Sequence, residues 1–105
     1  MGFPSPADDF LERNLDLNTL LIQHPAATFF LRVQGNAMIQ NGVKSGDIVI
    51  VDRSIQNVHN KLAIVIMNGE LTLKKLTTPL LHQYPEMEIW GVVTFIIHAT
   101  YDHQA

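Results

Sequence analysis

Cysteine is absent from all 105 residues, which excludes disulfides and thiolate metal sites. Basic residues are few. The seven are dispersed as Arg13, Arg32, Lys44, Arg53, Lys61, Lys74 and Lys75, against ten acidic residues. A chain that grips a phosphate backbone concentrates Lys and Arg on one face, often with aromatics between them, so no direct nucleic-acid contact is expected. No uncharged apolar run approaches the ~18 residues needed to cross a bilayer. Met1-Gly2-Phe3-Pro4 also lacks the basic start and apolar stretch of a secretion signal, and a cytoplasmic location without membrane contact is expected. Glycines fall singly at turn positions such as Gly35, Gly42, Gly46 and Gly69, so no phosphate-cradling loop is expected. The five histidines have no HExxH-like spacing. His98 and His103 are expected as exposed tail residues, and neither a metal nor a cofactor is expected.

What is present is apolar and strand-forming. Hydrophobic residues make up 47% of the chain, more than a domain this small readily hides, so a self-association surface is expected. Residues 1–14 hold Pro4 and Pro6 and read as an extended arm, and residues 15–105 read as one domain. Asp16 is placed to cap a short helix over Leu17–Gln23 that His24-Pro25 would stop. Strands are expected at Thr28–Val33, Asp47–Asp52, Leu62–Met67, Leu71–Leu76 and Ile89–Ile97, where β-branched and aromatic residues gather. Asn68-Gly69 between two of them is a strong hairpin signal, because both central residues of a type I′ turn need positive φ. Pro79 and Pro85 bracket what reads as a polar connection, with Glu86 and Glu88 as solvated surface. The fold class predicted is mainly β, a twisted antiparallel sheet with an extended N-terminal arm and one short helix.

Two stretches carry chemistry. The first is Val33-Gln34-Gly35-Asn36-Ala37-Met38-Ile39, followed by Gly46-Asp47-Ile48-Val49-Ile50-Val51-Asp52. The second is Gly69-Glu70-Leu71-Thr72-Leu73-Lys74-Lys75-Leu76. Together they resemble the G-[DN]-S-M motif, the following G-D strand and the lysine strand of the LexA/UmuD self-cleaving serine peptidases. The likeness runs from Gly2 to about Lys75 and resumes at Trp90-Gly91-Val92-Val93. The Gly2-Phe3-Pro4-Ser5-Pro6-Ala7 start is closest to the UmuD branch. The resemblance implies a LexA/UmuD-like β-fold and a serine–lysine dyad, with Lys74, 37 residues beyond Ala37, at the general-base position. A lysine serves as base near neutrality only when desolvation disfavours its ammonium form. Alternation along the strand lets only one of Lys74 and Lys75 face a cleft; the pattern alone favours two solvated lysines, and it is the family match that selects Lys74.

Two departures qualify the resemblance. The family's nucleophilic serine is replaced here by Ala37, which has no Oγ, so no acyl intermediate can form. Loss of such a nucleophile removes roughly a million-fold in rate. The chain is also short between Thr77 and Glu88, where the family carries about one more strand and turn. Gly2 matches the residue that follows the family's own cleavage point, and Met1 alone precedes it, so the chain reads as the processed form. The resemblance therefore implies a catalytically dead regulatory subunit of SOS mutagenesis. It would be a homodimer that binds a Y-family translesion polymerase subunit (UmuC-like), with a RecA filament as the trigger of cleavage. Loss of the arm would expose or reshape the surface the polymerase recognises. Two other readings stand beside it. One is a serine–lysine autopeptidase whose native form has serine where Ala37 is an engineered substitution, and the other is the dimerisation domain of a LexA- or phage-type repressor.

Overall fold

The computed structural model describes residues 15–35 and 38–101. The expected arm, with Gly2, and the nucleophile position Ala37 lie outside the described residues, as does His103. Five strands form one sheet: β1 (Thr28–Arg32), β2 (Ile48–Asp52), β3 (Leu62–Met67), β4 (Glu70–Lys75) and β5 (Glu88–Ile97). Their order is β1-β2-β5-β3-β4 and every pairing is antiparallel. The mainly β, antiparallel fold read from the sequence is the fold observed. At the β3–β4 hairpin, Asn68 and Gly69 have φ of 53° and 80°, the left-handed pair that a two-residue turn demands.

Alternation divides the sheet into two faces. On one, Val49, Val51 and Ile64 form a buried cluster with Val43, covered by the loop through Met38 and joined by Leu31, Leu73 and Val93. On the other, Ala63, Val65 and Leu76 are buried beneath Leu80, Leu81 and Met87. Long β5 touches both halves by means of irregularities in its pairing near Ile50/Val51 and Ile64/Val65. Gly91 sits at their meeting point. A Cβ there would lie 2.5 Å from Val51 Cγ1, so the Trp-Gly-Val-Val sequence has glycine where the neighbouring strand leaves no room.

Helix α1 spans Leu17–Leu21, and the Asp16 carboxylate accepts from the Asn18 N–H at its start. It ends two residues earlier than the sequence suggests. The expectation of a single helix and a polar 79–85 connection is corrected by α2 (Thr78–Gln83). Thr77 caps it by accepting from the Leu80 N–H, and Pro79 occupies its first turn, where a missing N–H costs nothing. Leu80 and Leu81 then face the second core.

Candidate functional site

The described residues on either side of the nucleophile position are held by backbone hydrogen bonds. Val33 N–H donates to Asp47 O and Gly46 N–H to Val33 O, both at 2.8 Å. Arg32 reaches Gly46 O, and Gly35 N–H donates to Ser45 Oγ. On the far side, Met38 O accepts from the N–H groups of Asn41 and Val43. Gly35, at φ 84°, is thus tied to the turn that opens β2, and Met38 to the following residues Asn41 and Val43.

Beside these residues lies β4, the edge strand. A cavity of about 170 Å³ is lined by Val33, Gly35 and Met38 on one side and Leu71, Thr72 and Leu73 on the other. A second, of about 240 Å³, continues it over Leu31, Val49 and Ile64, sharing Val33, Gln34, Leu71 and Leu73. The two form an apolar groove between residues 31–38 and the lysine strand. Lys74 is half-buried. It pairs with Ala63 and falls on the face of Thr72 and fully buried Leu76. Lys75 pairs with Leu62, falls on the face of Leu73 and is exposed. Lys74 thus shares the face of Ala63 and Leu76, whereas Leu73 and the groove it lines lie on the other face, and Lys74 lines neither cavity.

The G-D strand carries a feature that sequence reading passed over. Asp47 and Asp52, just before and at the end of β2, are both buried. Asp47 accepts from the Lys44 N–H at 2.8 Å and from His98 Nδ1 at 2.7 Å. The Lys44 N–H, then His98, hold its carboxyl below the ordinary value against the cost of burial. Asp52 accepts from His24 Nδ1 at 2.6 Å and from both the N–H and hydroxyl of Ser54. Burial pushes its pKa up, but the Ser54 hydroxyl, His24 and the Ser54 N–H together bring it below the ordinary value. His98 is exposed, as expected of it, and is also anchored to a buried carboxylate. The only signal available was two aspartates bracketing an apolar strand, since their histidine partners lie 28 and 51 residues away. Among the described residues no cluster of three His, Asp or Glu is arranged to hold a metal, and no helix is long and apolar enough to cross a membrane.

Comparison with known proteins agrees with the motifs. The sequence pattern described as peptidase S24-like matches residues 1–93. The chain is 43% identical to protein ImpA of Escherichia coli over 116 residues, covering 94% of this chain and 78% of ImpA. It is 34% identical to E. coli protein MucA across 97% of this chain and 79% of MucA. A more distant relative is LexA repressor 1 of Xanthomonas axonopodis, 37% identical over 75 residues, which make up 71% of this chain and 37% of the repressor. The ImpA alignment is longer than this 105-residue chain, so ImpA carries residues that this chain lacks.

Proposed function

The chain belongs to the peptidase S24-like family, the LexA/UmuD group, and from that premise we propose that it acts as a non-catalytic subunit of SOS mutagenesis. The observation that carries this reading is a peptidase frame with a methyl group where the chemistry needs a hydroxyl. The sequence around residue 37 and the lysine strand match the family's motifs, while Ala37 at the nucleophile position cannot attack a carbonyl. What remains of the family's chemistry is recognition. In this reading the chain acts in the cytoplasm, with a RecA filament as a further partner. It forms a homodimer, and the dimer binds a Y-family polymerase subunit.

The self-association has support in β5. β3 stops pairing with it at Ala63–Val92, whereas β2 continues to Ile48–Ile97. Among the described residues nothing pairs with the other edge of residues 93–97. Phe95, Ile96 and Ile97 there are 38%, 37% and 44% exposed. An apolar strand with an open edge is a template for another strand. A two-fold axis sets each residue against its own copy, where charges would repel; residues 94–97 carry none. Sedimentation at micromolar concentration should give about twice the 11.8 kDa chain mass, and addition of the Y-family polymerase subunit should give a heavier complex. A monomer that ignores the polymerase subunit would sink the proposal.

A further inference from the structure

The segment from Thr77 to Glu88, short relative to the family, builds a surface of its own. Helix α2 and the turn after it stand beside the β3–β4 hairpin. Between them runs an open groove of about 410 Å³, lined by Ile66, Met67, Asn68, Tyr84, Pro85 and Met87. This volume lies within the ~300–1,000 Å³ range of pockets that receive ligands. Met67 and Met87 are half-buried and rest on the Ala63–Val65–Leu76 cluster, so their base is anchored while their thioethers can adapt to a guest. Tyr84 is 42% exposed at the rim.

Three carboxylates belong to this end of the sheet. Glu86 lines the groove and Glu70 pairs with Met67 on the groove's face, while Glu88 pairs with Ile66 on the opposite face. All three are exposed. Among the described residues the ion pairs are those of His24 and His98, and none involves these glutamates. No Lys or Arg lines the groove. Glu70 and Glu86, unpaired like charges beside an apolar floor, favour a cationic guest and repel phosphate-bearing ones, so nucleic acid and anionic lipid are poor occupants.

We propose that this groove docks a basic, apolar segment of a partner protein. A Leu- or Phe-type side chain would seat on Met67 and Met87, with Lys or Arg side chains facing Glu70 and Glu86. The identification of that partner as the polymerase subunit rests on the function proposed above, whereas the chemistry of the groove does not. Two probes separate them. The first is a synthetic peptide alternating Leu and Phe with Lys, compared with the same peptide bearing Glu for each Lys, titrated into the ¹⁵N-labelled chain. The Lys peptide should shift the amides of Ile66–Asn68 and Tyr84–Met87, and the Glu peptide should not. Double replacement Glu70→Lys with Glu86→Lys, at exposed positions, should weaken the Lys peptide by about tenfold and admit the Glu peptide. Equal binding of both peptides, or shifts elsewhere on the sheet, would overturn the proposal. The second probe is the Y-family polymerase subunit itself. Weaker capture by the double variant than by the parent dimer is the expected result. Equal capture by both would overturn the docking assignment and leave the proposed function standing. No capture by either, with the peptide response intact, would remove the proposed function and leave the groove.

Discussion

Asp47 and Asp52 bracket β2, and each is held by hydrogen bonds that favour its charged form. Their folded pKa values are depressed, so the stability they contribute is present above the unfolded value of about 3.9 and is lost as pH falls through the folded values. Asp47→Asn should therefore cost about 1–3 kcal/mol at neutral pH. It should also flatten the fall in stability below roughly pH 4, as read from urea melts between acid and neutral pH. An acid limb unchanged from the parent would refute this. The histidine partners were illegible in the sequence, because pairs so far apart in the chain are created only by the sheet register. The dyad positions are the reverse case: Ala37 and Lys74 are assigned from local motifs alone, whereas the apolar groove along Leu71 and Leu73 needed the fold. A second prediction follows there. Ala37→Ser, supplied with a short arm peptide ending before Gly2, should restore cleavage that the parent chain lacks, with the products resolved by mass spectrometry. In that background Lys74→Ala should abolish cleavage and Lys75→Ala should not. Lys74 is half-buried over Ala63 and beside Leu76, while Lys75 is exposed on the opposite face. Retention of activity by the Lys74 variant would transfer the base assignment to Lys75.

Secondary structure was legible where one signal dominated. β-Branched runs marked all five strands, and Asn68-Gly69 marked the hairpin, since few residue pairs accept two positive φ values. The second helix was hidden because Pro79 and Pro85 read as breakers. Proline breaks a helix only in its interior; at the first turn, behind a threonine cap, it begins one. The order of the sheet was hidden as well, because β5 inserts between β2 and β3, far from its chain neighbours. These features predict two substitutions of unequal weight. Thr77→Ala removes the acceptor for the Leu80 N–H and should cost about 1 kcal/mol. Leu76→Ala empties a fully buried site between Ala63 and Val65 and should cost about 2–5 kcal/mol. Chemical melts of both variants would measure the difference. A Thr77 variant as damaging as the Leu76 variant would show that α2 carries more of the fold than its short apolar face suggests.

At the scale of the whole molecule, charge is separated along the β3–β4 ladder. Glu70 stands at the hairpin end, joined there by Glu86 and Glu88. Lys61, Lys74 and Lys75 share the opposite end, where the Leu76 N–H donates to Lys61 O. That basic end is the one place where a nucleic-acid contact could be sought, but its means are small. Lys74 is half-buried. Arg53 lies over the Trp90 ring at 4.5 Å and donates to Trp90 O, and Arg32 is engaged by Gly46 O. Phosphate neutralisation supplies nearly all non-specific affinity for DNA, and each contact must release counterions to count. A chain of net charge −3, with two arginines already engaged, has too few free cations to hold a duplex at physiological salt. Labelled single- and double-stranded oligonucleotides should therefore show no anisotropy change with this chain, at low or physiological salt, up to about 10 µM, tighter than ordinary non-specific binding. Salt-sensitive binding below that concentration, lost in a Lys61→Glu, Lys75→Glu variant, would show that two copies of the basic end combine into a nucleic-acid surface. Its absence would leave DNA contact to the proposed partners and confine this chain to protein recognition.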